Sequence, residues 1–229
     1  MVSRDIVARS GTARGEVLLL RRTTDDTAIA GVLELRVNGV FVMDTLNVSS
    51  EQVLAHQALA AAAHPRRVLV GGLGLGFTVQ ALLTDARVER LVVLEIEPDV
   101  VRWVQDGLVP ETADVLDDPR VEVRVQDVAA YLAQCEPASF DAVLLDVDNG
   151  PGQLVYERNA GLYTSGALAR GLSRCTSDGA LVLWSAEHSP ALLKRLHRAS
   201  TSVRHVPVAV TLQGRETHYH LYVAHPPRR

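Results

Sequence analysis

Cysteine is almost missing from this chain, which carries only Cys135 and Cys175 in 229 residues. Two sulfurs so far apart in sequence do not make a metal-type cluster, and a reducing compartment keeps them as thiols. Disulfide scaffolds are thereby excluded, and both cysteines read as core filling. Long apolar runs are missing too. No stretch approaches the roughly 20 apolar residues that span a bilayer, and Met1 to Ser10 alternates charged with apolar residues instead of building a signal-peptide core. The expectation is a cytoplasmic protein with no membrane partner. No block of basic residues offsets the formal net charge of −4, so nucleic acid is not an expected partner either. Internal repeats and low-complexity segments are absent. What remains is an ordinary globular balance, 47% hydrophobic and 22% charged, long enough for one large or two small domains.

Within that balance one stretch stands out. Arg67-Val-Leu-Val-Gly-Gly-Leu-Gly-Leu-Gly-Phe-Thr78 is an apolar strand emptying into a glycine-rich turn, with helical residues Val79 to Leu83 following at once. Gly72, Gly74 and Gly76 alternate, so the backbone there can take positive φ and let a ligand approach without Cβ atoms in the way. The amides and dipole of the following helix face the same ligand. An ordinary tight strand-to-helix connection would have the same glycines. The downstream partner favours a nucleotide site: the strand Leu91-Val-Val-Leu ends in Glu95, about 20 residues after the turn, where a carboxylate meets ribose hydroxyls.

Residues 1–48 have a different texture from the rest. Glu16–Arg22, Gly31–Val37 and Val40–Asp44 read as short β runs, the last two joined by Asn38-Gly39, a two-residue hairpin signal. Leu33, Leu35 and Val37 alternate with Glu34, Arg36 and Asn38, which predicts one buried and one wet face. Ser49-Ser50-Glu51 then opens an alanine-rich helix, Val53 to Ala63. The expected units are a small N-terminal β unit over 1–48 and a nucleotide-binding domain over 49–229. In the second unit strands at Val68–Val70, Leu91–Leu94, Val121–Val125, Ala142–Leu145 and Ala180–Trp184 alternate with helices. The predicted fold is α/β, a doubly wound, Rossmann-like sheet, mostly parallel. Val206–Thr211 and His218–Ala224, separated by the short Gln213–Glu216 connection, predict an antiparallel hairpin at its edge.

An open α/β sheet leaves its crevice at the carboxyl ends of its parallel strands. Glu95, Asp127, Asp146 and Trp184 stand at four such ends. Three carboxylates around one glycine turn can divide the work, Glu95 on ribose, Asp127 on an adenine amino group and Asp146 near the reacting atom; a surface acid at a strand end is the bland alternative for the first two. Asp141, at the entry end of its strand, reads as structural. Asp148-Asn149-Gly150-Pro151 is composed of turn formers and is equally placed to hold a substrate. Trp184, Glu187 and His188 can wall an acceptor or sit at the rim. Alternation puts His218 and His220 on one face, and two histidines without a third ligand make a poor metal site, so no metal is expected.

From about Leu33 to Ala224 these residues resemble the spermidine synthases, the polyamine aminopropyltransferases. Leu35-Arg-Val-Asn-Gly-Val-Phe-Val-Met-Asp44 is similar to the β segment before that family's nucleotide domain, Gly71 to Gly76 to its glycine loop, and Asp118-Pro-Arg-Val121 to a recurrent stretch before the third strand. The resemblance implies Glu95 as ribose carboxylate, Asp127 as adenine contact and Asp146 as the base that deprotonates the attacking amine, since Asp146-Val-Asp-Asn-Gly-Pro lies where the family carries Asp-Ser-Ser-Asp-Pro. Two departures stand beside it. Ser50-Glu51-Gln52 replaces the family's Tyr-His-Glu, and Gly74 replaces a loop Asp that helps hold the donor's amine. Decarboxylated S-adenosylmethionine carries an ammonium and no carboxylate, so the Gly74 position makes unmodified S-adenosylmethionine a second candidate donor.

The expected activity is transfer of a group, an aminopropyl in the resembled family, from S-adenosylmethionine or its decarboxylated form to a small-molecule amine. The alternatives are an S-adenosylmethionine-dependent methyltransferase and a non-catalytic nucleotide-binding domain. The Gly74-to-Gly76 spacing argues against a nicotinamide cofactor. The nucleotide is expected on Gly71, Gly72, Leu73, Gly74, Gly76, Glu95, Ile96, Asp127 and Val128, the acceptor on Glu51, Gln52, Asp148, Asn149, Trp184 and His218, with Asp146 catalytic. The β unit should close over the site or pack against a second subunit, because its apolar face is too large to leave wet, and a homodimer is expected.

Overall fold

The structure, a computed structural model, describes residues 2–27, 30–147, 149–152, 154–212 and 215–227. Four antiparallel strands come first: β1 (Ser3–Thr12), β2 (Gly15–Thr23), β3 (Leu33–Val37) and β4 (Val40–Asp44), paired in the order β1-β2-β3-β4. Asn38 and Gly39 both take positive φ, 52° and 78°, which is what a two-residue hairpin matching the strand twist requires. β1 was not expected from the alternation of its residues. It pairs with β2 along its whole length, with one register shift between Ile6 and Ala8.

The predicted wet face of β3 needs correction. Glu34 is fully buried, because Arg4, Arg22 and Arg36 all reach its carboxylate, with Arg4 Nε 3.1 Å and Arg22 Nε 3.3 Å away. Burial of a lone carboxylate costs several kcal/mol unless it is paired and hydrogen-bonded. Three guanidinium groups meet that condition here; burial pushes the Glu34 pKa up, but Arg36 and Arg4 outweigh it and hold it below the usual range.

Helix α1 (Ser49–Ala61) leads into the second sheet, which is built from β5 (Arg67–Gly71), α2 (Phe77–Leu83), β6 (Arg90–Glu95), α3 (Pro98–Gln105), β7 (Val121–Val125), α4 (Val128–Gln134), β8 (Phe140–Leu145), α5 (Ser165–Arg174), β9 (Cys175–Ser185), α6 (Pro190–Ala199), β10 (Ser202–Leu212) and β11 (Arg215–His225). The strand order is β10-β11-β9-β8-β5-β6-β7. β5 to β9 run parallel, and β11 inserts antiparallel beside β9 with β10 outside it. Gln213 and Gly214, in the connection of that edge hairpin, lie outside the described residues.

Both faces of this sheet are covered, which is why its strands read as unbroken Val and Leu runs. One face packs α1, α2 and α3 together with the inner residues of the four-stranded sheet, among them Val17, Leu19, Leu35 and Val37; the other packs α4, α5 and α6. Chain order reverses between β5 and β8, so the crevice opens at the carboxyl ends of those two strands. Asp141 holds the opposite end, accepting from the amides of Arg66 and Arg67 at 3.2 and 2.9 Å.

Candidate active site

The glycine turn is stitched to both neighbouring strands. The Gly72 amide donates to the Leu94 carbonyl and the Asp146 amide to the Gly71 carbonyl, each at 2.8 Å. Gly72 has φ 94°, and a Cβ placed on it would lie 1.9 Å from the Asp146 carbonyl oxygen, so only glycine fits. Gly74 is tight for another reason: a Cβ there would lie 2.7 Å from the Met43 sulfur, which also accepts the Leu75 amide at 3.2 Å. The thioether from β4 thus fills the space beside the position where the resembled family carries an acid.

Glu95 at the end of β6 is buried, and its two oxygens accept the amides of Leu73 and Glu97, each at 2.9 Å. Burial raises its pKa, opposed by those hydrogen bonds. Each oxygen keeps a second lone pair for a ligand hydroxyl. Asp127 caps α4 through Oδ1, which accepts from Ala129 at 2.7 Å and Ala130 at 3.3 Å. Asp146, past the end of β8, accepts from the Thr78 hydroxyl at 3.0 Å, while burial pushes its pKa up to about 6. Glu51, in the first turn of α1, is buried and accepts from the Ser50 hydroxyl at 2.7 Å. Burial, and then the neighbouring charge of Asp146, raise it to about 7.

These groups line one cleft of about 1030 Å³, counting the space open at its mouth. Its floor is Gly72, Leu73, Gly74, Phe77 and Thr78, and its sides include Glu95, Ile96, Asp127, Val128, Asp146, Asn149 and Trp184. Leu35, Val37, Val42 and Met43 of the N-terminal sheet form its cover, as the apolar face of that unit led us to expect. Glu51, Glu95, Glu97, Asp127 and Asp146 all line it, and among the described lining residues none is Lys, Arg or His. A smaller pocket of about 240 Å³ adjoins through Val42, Met43, Glu51 and Trp184 and adds Phe41, Asp44, Asn47 and Tyr219. Trp184 and Tyr219 pack there with ring centres 4.7 Å apart.

Several predicted site residues stand elsewhere. His218 is exposed on β11 and lines neither pocket, because strand alternation turns Tyr219 inward instead. Gln52 points outward from α1 and is exposed. Gly71 ends β5 and Gly76 caps α2 with φ 90°, so both shape the turn from behind and do not line the cleft. His188 stacks on His205, 4.7 Å between ring centres, and Glu187 is exposed; neither lines the cleft. Asp148 lies outside the described residues. No group of three His, Cys, Asp or Glu side chains able to hold a metal occurs among the described residues.

Sequence reasoning missed a closure formed by three segments. Arg14, in the β1–β2 turn, donates to Glu97 Oε1 at 2.6 Å and to the Ile96 carbonyl at 2.9 Å, and the Tyr156 hydroxyl donates to the same Glu97 oxygen at 2.8 Å. Tyr156 follows β8, so the N-terminal sheet and the post-β8 segment are both tied to the residue after Ile96. The only sequence sign was an acid two positions beyond Glu95.

A doubly wound sheet with a glycine turn and strand-end carboxylates at its switch point defines the Rossmann-like, methyltransferase-type class. The family model for the spermine/spermidine synthase domain matches residues 48–212, and the chain belongs to that family. Polyamine aminopropyltransferase 2 of Pseudomonas aeruginosa is 35% identical over 111 residues, 47% of this chain and 32% of that protein. Polyamine aminopropyltransferase 1 of Hyperthermus butylicus is 32% identical over 161 residues, 66% of this chain and 54% of that protein. Putrescine N-methyltransferase 1 of Nicotiana tabacum is 31% identical over 127 residues, 55% of this chain and 34% of that protein. The chain therefore matches from about a third to about half of the length of these relatives. A solved spermidine synthase in complex with the transition-state analogue AdoDATO superposes with a TM-score of 0.80 at 18% identity, covering 96% of this chain and 73% of that one. Spermidine synthase from Thermotoga maritima gives 0.78 at 17%, covering 96% and 72%. At such identities the likeness establishes the fold.

Proposed function

We propose that the chain transfers an aminopropyl group from decarboxylated S-adenosylmethionine to a small amine, with Asp146 taking the amine's proton. The observation that carries this reading is the charge of the cleft, in which five carboxylates line the walls with no basic side chain among the described lining residues. An anionic group on the donor would meet only like charge there, whereas an ammonium donor and an ammonium acceptor are both favoured. Gly72 and Gly74 give the nucleotide close approach, Glu95 takes ribose hydroxyls and Asp127 an adenine amino group. The attacking nitrogen forms a bond to the propyl carbon, the carbon–sulfur bond breaks, and the sulfur keeps the electron pair. Such a displacement needs mainly alignment and removal of one proton.

One observation favours a methyl transfer instead. Gly74 brings no acid to the donor's amine, Met43 fills that space, and relatives of similar identity include putrescine N-methyltransferases. Incubating the protein with putrescine and each donor separately, and weighing the product by mass spectrometry, distinguishes the two. An aminopropyl adduct with the decarboxylated donor alone supports the main reading; a methyl adduct with S-adenosylmethionine alone replaces it. We further place the protein in the cytoplasm as a homodimer. Free thiols at Cys135 and Cys175 suit a reducing compartment, and exposed Val2, Ile6, Val40 and Leu46 suit a subunit contact by the N-terminal strands. Light scattering of the purified chain tests the dimer, since a monomeric mass at micromolar concentration would exclude it. No described helix is long and apolar enough to cross a membrane.

A further inference from the structure

Glu51 stands where the resembled family has a different residue, and it lies where the large cleft meets the small pocket. We propose that Glu51 is a second carboxylate of the reaction centre, forming with Asp146 a pair that holds one proton in the open site and releases it when an alkylammonium binds. This rests on the amine-transferase reading and gives Glu51, there only one of five carboxylates lining the cleft, a place in the path of the proton.

The geometry around Glu51 is that of an acid left to deal with another acid. It comes from α1 and lines the large cleft together with Asp146 past the end of β8, and the small pocket together with Asp44 at the end of β4 and Tyr219 on β11. Of these, Asp44 already has its partners: Arg22 at 2.5 Å on one oxygen, and the amides of Leu46 and Asn47 at 3.1 and 3.0 Å on the other. Arg22 is thereby engaged and lines neither pocket, and no described Lys, Arg or His lines either of them. Glu51 and Asp146 receive one neutral hydroxyl each, from Ser50 and Thr78. Two carboxylates sharing a buried site cannot both ionise cheaply, and one retains a proton. The direction of both groups agrees, since burial and Asp146 raise Glu51 to about 7 and burial raises Asp146 to about 6. An ammonium entering between them supplies the missing positive charge, favours both ionised forms and sends the shared proton to the buffer. Asp146 is then free to take a proton from the ammonium when the nitrogen attacks.

Calorimetry tests this directly, because a released proton adds the buffer's ionisation heat to the binding heat. Putrescine would be titrated at pH 6.5 into the protein saturated with methylthioadenosine, in phosphate and in Tris. The wild type is expected to release close to one proton per amine bound. Glu51→Gln should release almost none and bind putrescine at least tenfold more weakly, with methylthioadenosine affinity unchanged. Equal proton release by wild type and Glu51→Gln, or amine binding by wild type without release, overturns the role of Glu51 and leaves the amine-transferase reading standing. If methylthioadenosine binds and putrescine or cadaverine does not, the amine reading fails and this inference with it.

Discussion

Glu95 is a structural carboxylate first, and the ribose contact proposed for it comes on top of that role. Its oxygens hold the amides of Leu73 and Glu97, so it fixes the glycine turn before any nucleotide arrives. Removing it by Glu95→Ala should weaken methylthioadenosine binding by roughly 1–3 kcal/mol, the cost of leaving buried polar partners unpaired. Calorimetry gives the number, and a melting curve on the same sample separates a lost contact from a lost fold. Wild-type affinity in a folded Glu95→Ala protein would remove the ribose assignment. Glu51 accepts instead from the Ser50 hydroxyl, and the folded state raises its pKa above the value of an unfolded chain. It binds more protons folded than unfolded, so its contribution to stability is full below about pH 4.5 and is lost as pH rises through about 7. Glu51→Gln should therefore be more stable than wild type at pH 8, by an amount on the order of 1–3 kcal/mol, and melt higher. The gap should narrow as pH falls toward 5. Thermal scans across that range check the sign, and a gap that widened toward acid would contradict it.

At the scale of elements, what was legible depended on whether local chemistry or distant packing decided the outcome. The glycine turn and the Asn38-Gly39 hairpin are set by backbone φ, which glycine and asparagine announce locally. The parallel strands are buried on both faces, so their Val and Leu runs were readable too. β1 was not, since its residues are mostly exposed and its pairing with β2 supplies what its composition does not show. Glu34 looked like a wet position because alternation cannot report three arginines converging from β1, β2 and β3 itself. Glu97 was overlooked for the same reason: its partners Arg14 and Tyr156 lie 83 and 59 residues away in sequence. That closure has a measurable consequence. Hydrogen bonds to charged groups contribute about 1.5–3 kcal/mol, so Tyr156→Phe should loosen the post-β8 segment and weaken nucleotide binding up to about a hundredfold. Turnover at saturating donor should change much less. A Tyr156→Phe protein with unchanged donor affinity would show that the hydroxyl closes nothing.

For the whole molecule, the N-terminal sheet is the part whose role reaches farthest from its own sequence. Val17, Leu19, Leu35 and Val37 belong to the same core as α1, α2 and β5, and Leu35, Val37, Val42 and Met43 cover the cleft. Deleting residues 1–45 should expose that core face and cause aggregation, followed by light scattering; a soluble, fully active truncation would refute the cover. The site itself was only partly legible. Asp146, Glu95 and Asp127 follow from strand ends, but the meeting of Glu51 with Asp146 depends on how α1 crosses the end of β8, which no spacing reveals. The central claim is that this cleft binds an adenosyl donor and uses Asp146 to deprotonate an amine. Asp146→Asn keeps the shape and most of the hydrogen bonding while removing the base, a contribution of typically 10²–10⁴-fold. The most direct test is single-turnover transfer to putrescine by Asp146→Asn, measured beside its affinity for methylthioadenosine. The account requires a rate lower by about 10²–10⁴-fold with nucleotide affinity within a few-fold of wild type. An unchanged rate, or a rate lost together with nucleotide binding, would contradict it.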